Sequence, residues 1–314
     1  MSHNVIARVV RSGFVESVHH GTAVAVDADG DVVVSAGTPA AAIFPRSTNK
    51  PLQAVAMVRA GLALEGPLLA LAAASHSGER YHLDGARRIL AGAGLDPQAL
   101  GNVEDLPYDE QERQEWVRTG RGASRLAQNC SGKHAAMLAT CVENGWPTTG
   151  YLDPGHPLQR LIAETIADLA GEPVTATGVD GCGAPVLAVS VLGLAAAFAR
   201  IATADPGTPE GRVAAAMRRH PEWVGGTGRD VTALMNGVPG LIAKDGAEAV
   251  YAAALPDGRA AALKIADGGQ RARPVVLAAL LHRLGVSAPV LDEQAGTEVL
   301  GAGMPVGVVE AVGL

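Results

Sequence analysis

The serine and the lysine of the stretch PRSTNKPLQ, residues 45–53, stand three positions apart. Proline is tolerated in the first turn of a helix, so Pro51 predicts that Ser47 and Lys50 lie at a helix start, on one face. A serine hydroxyl becomes a nucleophile when a base lies within hydrogen-bond reach. A lysine is a base only when neutral, so its usual pKa of about 10.4 must fall. The pair alone is a weak signal, because a capping serine and a solvated lysine share this spacing.

Two further stretches could complete such a site. ASHSGE, residues 74–79, follows an apolar run and offers Ser75, and IAKDGAE, residues 242–248, offers Lys244 just before a predicted strand. In penicillin-recognising enzymes a loop serine and a strand lysine complete the Ser-x-x-Lys pair. Two lysines in one pocket would lower each other's pKa, as a lysine base requires. Outside such a pocket, Ser75 is a turn hydroxyl and Lys244 an exposed lysine at a hairpin edge.

Two of the three cysteines lie in stretches that could bind a metal. NCSGKHAAML places Cys130 and Lys133 three apart at a second helix start, and GVDGCGAPV carries Cys182 two residues after Asp180. Thiolates suit zinc. However, Cys-x-x-Lys is not a usual ligand pair, and a buried cysteine more often packs as a small apolar side chain. Spacing alone leaves both interpretations open.

The elements that must position these residues are strands at both chain ends and helices between them. Alternating or continuous Val and Ala, bounded by turns such as 27–30 and 256–258, predict the strands 5–10, 22–27, 31–35, 247–254, 260–265 and 305–312. Helical spacing predicts helices at 50–61, 84–93, 133–144, 157–170, 184–203, 208–219 and 274–284. We expect an α+β fold, in which the terminal strands pair in one antiparallel sheet flanked by helices. A single domain, 1–314, would carry a helical lobe from about 50–220.

The composition of the 314-residue chain fits such a fold and argues against some partners. Apolar residues make up 48% and aromatic residues 3%, so a sizeable core must consist mainly of Ala, Val and Leu. The net charge of −7 argues against a nucleic-acid partner. The N-terminus lacks signal-peptide character, no long apolar run predicts a membrane span, and three cysteines are too few for a disulfide framework. We therefore expect a cytoplasmic protein without a membrane partner.

Taken together, the motifs resemble one protein family. RSTNKPLQ, ASHSGE, NCSGKHAAML, HPLQ, VDGCGAP, GGTGR and KDGAE occur in the order typical of the thermolabile, Rhizobium-type L-asparaginases, the asparaginase II family. The resemblance runs from about Val9 to Gly313 and is specific in combination. That family is similar in fold to serine β-lactamases and serine-dependent glutaminases, which agrees with the strand–helix–strand order. KDG replaces the Lys-Thr-Gly of the lactamases.

The resemblance implies two Ser–Lys pairs. By motif, Ser47 matches the first serine with Lys50, and Ser75 matches the second serine with Lys244. Ser75 is preferred to Ser77 because the family's serine lies in the Ala-Ser-His run. Ser47 would attack the amide carbon after losing its proton to Lys50. Ser75 and Lys244 would relay protons and help to expel ammonia.

The resemblance also implies a zinc site and a substrate pocket. The family's metal is held by two cysteines and a lysine, which match Cys130, Lys133 and Cys182. Asp180 matches the aspartate beside that metal, and Arg46 and His134 would line the substrate pocket with it. Zinc would orient the amino-acid end of the substrate rather than supply the nucleophile.

The implied activity is the hydrolysis of L-asparagine to L-aspartate and ammonia by a homodimeric amidohydrolase acting on linear amides. One alternative is a glutaminase or a β-lactam-recognising enzyme. The lack of a signal peptide counts against the latter, whose substrates lie outside the cytosol. A second alternative is a catalytically silent, zinc-bearing amino-acid sensor. Two intact Ser–Lys pairs count against it, because a binding protein needs neither.

Overall fold

The computed structural model describes residues 3–314, and its strands gather both ends of the chain into one sheet. The strands are β1 (Asn4–Arg11), β2 (Phe14–Val26), β3 (Val32–Ala36), β4 (Ala42–Ile43), β5 (Thr177–Val179), β6 (Pro185–Leu187), β7 (Val189–Ser190), β8 (Ile242–Asp245), β9 (Val250–Ala254), β10 (Ala260–Ile265), β11 (Gly296–Gly301) and β12 (Met304–Ala311). The antiparallel order β11-β12-β1-β2-β10-β9-β8, with β3 also paired to β2, forms the eight-stranded sheet. Ala7 on β1 lies opposite Ala311 on β12, and Val24 on β2 lies opposite Ala262 on β10. The predicted α+β fold and the pairing of terminal strands are confirmed.

The helices occupy the middle and the end of the chain. They are α1 (Lys50–Arg59), α2 (Gly66–Ala72), α3 (Arg80–Gly92), α4 (Glu110–Arg118), α5 (Ser131–Glu143), α6 (Pro157–Ala170), α7 (Val191–Thr203), α8 (Pro209–Arg219), α9 (Pro221–Val224), α10 (Asp230–Gly237), α11 (Arg273–Arg283) and α12 (Pro289–Gln294). In the part of the chain that the structure describes, no helix has the length and apolar character needed to cross a bilayer. Helices α1–α8 cover the region predicted as a helical lobe, and its organisation as one domain stays a prediction.

Small side chains build the centre of the sheet. Every residue of β9 is buried, and β10 is buried except at Lys264, under contacts from α7 and α11. Both strands consist largely of alanine, whose short side chain lets a helix approach the sheet closely. The low aromatic content therefore has a structural counterpart in an alanine-rich layer, and the lysine-bearing strand β8 lies next to it.

The predicted helix 184–203 is wrong over its first seven residues. The strands β6 and β7 occupy that apolar run, and α7 begins only after Ser190, whose Oγ accepts a hydrogen bond from Gly193 N at 2.8 Å. An apolar run that is buried on all sides has the same sequence pattern in a strand as in a helix. The capping serine was the local signal for the true boundary.

The region around Lys244 also differs from the prediction. Lys244 lies inside the strand β8 rather than ahead of a strand, and the predicted strand 247–254 begins only at Val250. Residues 247–249 form a 3₁₀ turn in which Glu248 has a φ of 57°. Most of the elements that the sequence did not predict are short; they are the helices α2, α4, α9, α10 and α12 and the strands β4, β5, β6, β7, β8 and β11.

Candidate active site

Ser47 lies in a strained turn that leads into α1. A 3₁₀ turn, Arg46–Asn49, precedes the helix, and Arg46 has a φ of 52°, which non-glycine residues rarely adopt. Asn49, rather than Ser47 or Thr48, is the N-cap residue of α1. Across residues 3–314 no partner bonds the Ser47 hydroxyl or its backbone N–H. Both groups of this half-buried residue are therefore free to meet a substrate.

Lys50 is the first residue of α1, and its side chain is 1% exposed. Its Nζ lies 2.7 Å from Ala74 O, 2.9 Å from Ser75 Oγ and 3.0 Å from Cys130 Sγ. The described chain has no hydrogen bond between Lys50 and Ser47, so the lysine contacts the second serine. A neutral amine has two N–H groups and one lone pair. As an ammonium, Lys50 donates to all three atoms; acting as a neutral base, it would donate to Ala74 O and Cys130 Sγ and take the Ser75 hydroxyl proton on its lone pair.

The loop between α2 and α3 holds Ser75. Its backbone N–H donates to Val224 O at 3.0 Å, which ties the loop to the end of α9. Ser77 Oγ donates to Gly225 O at 3.0 Å, so its hydroxyl proton is already engaged in a hydrogen bond. The preference for Ser75 over Ser77, which the resemblance supplied, is thus consistent with the geometry of the loop.

Lys244 is fully buried on β8. Its Nζ lies 2.6 Å from Asp245 O and 2.9 Å from Asp245 Oδ1. Burial lowers the pKa of Lys244 to about 8, against the opposing charge of Asp245 and with help from the charge of Lys50. A Cβ on Gly246 would lie 2.4 Å from Thr48 Oγ1, so a glycine is required where β8 meets the turn that carries Ser47.

The two serines share one small cavity of about 60 Å³. Its walls are Ser47, Ser75, Tyr108, Asn129, Arg229, Asp245, Gly246 and Ala247. The structure thus brings together the four residues of the predicted Ser–Lys pairs: the serines line the cavity, and both lysines are buried beside wall residues, Lys50 at Ser75 and Lys244 at Asp245. The cavity admits a small molecule rather than a polymer.

Sequence reasoning missed four of the wall residues as site residues. The motifs KDGAE, GGTGR and NCSGKHAAML contain Asp245, Arg229 and Asn129 without assigning them a role, and Tyr108 lies outside every motif. A charged residue next to a buried lysine is a usable signal for Asp245, because buried charges need partners. Tyr108 has no comparable signal: it is half-exposed, and its contact with the Arg229 guanidinium, 4.6 Å from the ring centre, comes from a distant loop.

The predicted metal residues also meet. Lys133 Nζ donates to Cys182 Sγ at 3.3 Å, and Cys130 packs with Cys182 in a small buried cluster. The contact between the two sulfurs lowers the pKa of Cys182 to about 5 and, together with burial, raises the pKa of Cys130 to about 12. Despite its burial, Lys133 has a raised pKa because of the neighbouring sulfurs and Asp180. One thiolate and one ammonium therefore already lie in contact.

These residues offer donor types that zinc takes, and the pair Lys133 and Cys182 has a suitable spacing. Tetrahedral zinc with bonds of about 2.3 Å to sulfur and about 2.1 Å to nitrogen sets those two atoms about 3.6 Å apart, close to the observed contact of Lys133 with Cys182. Within residues 3–314, however, no three His, Cys, Asp or Glu side chains form a metal site. A metal here would thus depend on the amine of Lys133, which must lose its proton.

Three residues predicted for the substrate pocket lie around that cluster. Arg46 Nε donates to Asp180 Oδ1 at 2.7 Å. Burial opposes ionisation of Asp180, yet the charges of Lys133 and Arg46 hold its pKa below the usual value. His134 is fully buried and its Nδ1 lies 2.7 Å from Tyr151 Oη, while its Nε2 has no hydrogen-bond partner among residues 3–314. Arg46 and Asp180 are therefore a pair, whereas His134 lies deeper than a pocket wall.

Comparison with models of known protein families gives a match over nearly the whole chain. The model of the L-asparaginase II family matches residues 7–311 of the 314. A search of curated proteins finds no match. The family match covers both serines, both buried lysines and the cysteine cluster described above. The chain belongs to the L-asparaginase II family and is therefore an amidohydrolase of the L-asparaginase type.

Proposed function

We propose that the protein hydrolyses the side-chain amide of L-asparagine to L-aspartate and ammonia through an acyl-enzyme on Ser47. The observation that supports this proposal most is the shared cavity: both serines line it, and both lysines are buried next to its wall residues. Ser47 is favoured as the nucleophile because its hydroxyl is unengaged, whereas Ser75 Oγ is held by Lys50. The strained Arg46 supports this choice, since strain of this kind clusters at active sites.

The proton of Ser47 passes to Lys50 through Ser75, because Ser75 both lines the cavity and contacts Lys50 Nζ. Ser47 Oγ then forms a bond to the amide carbon, and the backbone N–H of Ser47 stabilises the negative oxygen. The proton goes to the amide nitrogen as its bond to carbon breaks, which releases ammonia. Lys244 takes a proton from the water that attacks the ester carbon. That proton passes to Ser47 Oγ as its bond to the acyl carbon breaks and aspartate leaves.

We also propose that Cys130, Lys133 and Cys182 hold zinc. Bound there, zinc would supply a positive charge that orients the amino-acid end of the substrate. Arg46 and Asp180 lie beside this cluster as an ion pair. A carboxylate and a guanidinium in one place match the ammonium and the carboxylate of an amino acid, and their mutual contact keeps both side chains in position.

An ammonia-release assay with L-asparagine and L-glutamine, run beside a chromogenic β-lactam, tests the substrate. Asparagine should be the best substrate by kcat/KM. Faster turnover of glutamine or of the β-lactam would reject asparagine as the substrate. Binding of asparagine without ammonia release, measured by calorimetry, would reject catalysis altogether. Lys50→Met serves as the inactive control because it removes the buried amine and keeps a similar volume.

A further inference from the structure

A single buried carboxylate next to Lys244 holds three cations. Asp245 is 4% exposed. Its Oδ1 accepts from Lys244 Nζ at 2.9 Å, and its Oδ2 accepts from Arg229 Nη2 at 2.5 Å and from Arg273 Nη1 at 3.3 Å. Asp230 offers a second carboxylate, which among these three cations accepts a hydrogen bond from Arg273 alone, at 3.0 Å from Nη2. The carboxylate of Asp245 is therefore the anion that Lys244 and the two arginines share.

Both protonation states of Lys244, the ammonium and the neutral amine, can make its two hydrogen bonds. Both contacts go to Asp245, one to its backbone oxygen at 2.6 Å and one to its carboxylate. A neutral amine satisfies two acceptors with its two N–H groups and retains a lone pair. Asp245 thus fixes the direction of the lone pair as well as the position of Nζ. Asp245 also lines the cavity with both serines, so the lysine is held in contact with a wall residue of that cavity.

Every charge around Lys244 acts on its proton. Asp245 favours the ammonium form, while Lys50 on α1 and Arg229, just before α10, disfavour it. Arg273 on α11 adds a further positive charge at the carboxylate. Burial, followed by the charges of Asp230 on α10 and Asp245, raises the pKa of the Tyr251 hydroxyl on β9, which therefore faces the same cluster as a neutral group. The two arginines partly neutralise the charge of Asp245, so this carboxylate raises the pKa of Lys244 less than it would alone.

We propose that Asp245 is a positioning residue that holds Lys244 at the cavity and, balanced by Arg229 and Arg273, sets the pH at which Lys244 loses its proton. This inference rests on the proposed hydrolysis, in which Lys244 serves as a base. If Asp245 and the two arginines served only to hold β8 against α10 and α11, changing them would leave the pKa of Lys244 unaffected.

Two variants should move the titration in opposite directions. Asp245→Asn removes the anion, so Lys244 should titrate at lower pH, whereas Arg229→Gln frees the anion for the lysine and should raise it. Each shift should be roughly one pH unit or more, since a charge within about 4–6 Å moves a pKa by about 1–3 units. Arg229→Lys keeps the charge and should restore the wild-type value. Asp230→Asn is the matched control: it removes a carboxylate that holds Arg273 but leaves Asp245 in place, so it should shift the titration of Lys244 less than Asp245→Asn does.

Two readouts separate this inference from the proposed function. The acid limb of kcat/KM for asparagine reports Lys244 in action, and NMR of protein labelled with ¹³C at lysine Cε reports it without substrate, with Lys244→Met to identify the signal. Opposite shifts in both variants support the inference. If the NMR shifts occur but no asparagine is hydrolysed, only the proposed function fails.

Three outcomes would overturn the inference. They are shifts of the same sign in both variants, no shift in Arg229→Gln, or a shift in Asp230→Asn as large as that in Asp245→Asn. Should Asp245→Asn fail to fold because it leaves the guanidinium of Arg229 without its carboxylate and Arg273 with Asp230 alone, the comparison of Arg229→Gln with Arg229→Lys decides the matter. Arg229 is the more exposed of the two arginines, and its removal leaves Asp245 paired with Lys244 and Arg273.

Discussion

Alanine at Ser47 and alanine at Ser75 should both abolish hydrolysis but should differ in their effect on stability. The Ser47 hydroxyl bonds nothing within residues 3–314, so Ser47→Ala should change the free energy of unfolding by less than about 0.5 kcal/mol. Ser75 Oγ is one of three acceptors around the buried Nζ of Lys50. Its loss should cost about 1–3 kcal/mol, the usual penalty for an unsatisfied buried donor.

Activity and chemistry are measured on the same two variants. Residues that act as one catalytic unit usually cost several powers of ten each, so kcat should fall by about 10³ or more in both. Rapid acid quench of the wild-type enzyme with asparagine, followed by peptide mass spectrometry, should find the acyl group on Ser47. More than about a tenth of the wild-type kcat in Ser47→Ala would refute its role as nucleophile. An acyl group on Ser75 would exchange the roles of the two serines.

Three further predictions concern pH, metal and packing. The pKa of Lys244 is about 8 in the fold and about 10.4 in an unfolded chain, so between these pH values the unfolded state holds a proton that the folded state has lost. The free energy of unfolding should therefore rise by about 3 kcal/mol over that pH range. Denaturant unfolding measures this rise, which Lys244→Met should flatten. Elemental analysis should find about one zinc per chain in the wild-type protein and none in Cys182→Ala, a change that leaves the contacts of Lys50 in place. In that variant KM for asparagine should rise more than kcat falls. Equal zinc contents in both proteins would exclude the metal site. Gly132→Ala would put a Cβ 2.4 Å from Leu71 Cγ and should cost about 1–3 kcal/mol, whereas Gly92→Ala, with open space around it, should stabilise slightly in the same thermal assay.

The pattern of the chain was enough for the fold class, whereas the site residues come from the motifs and from the family resemblance and stay proposals. Strand alternation at both ends and helical spacing in the middle are local properties, and they predicted the sheet of terminal strands. They failed at 184–190, where complete burial removes the periodicity that separates a strand from a helix. The homodimer and the cytoplasmic location stay predictions.

Only the tertiary structure decided which side chains touch. Helical spacing placed Ser47 beside Lys50, but the lysine side chain contacts Ser75 and Cys130, which lie 25 and 80 residues further along the chain. It thereby joins the serine site to the cysteine cluster, two features that the sequence presents separately. The three cations on Asp245 come from as many segments of the chain. Residue types and local spacing are properties of a short stretch, whereas the partner of a long buried side chain depends on which distant elements pack against it.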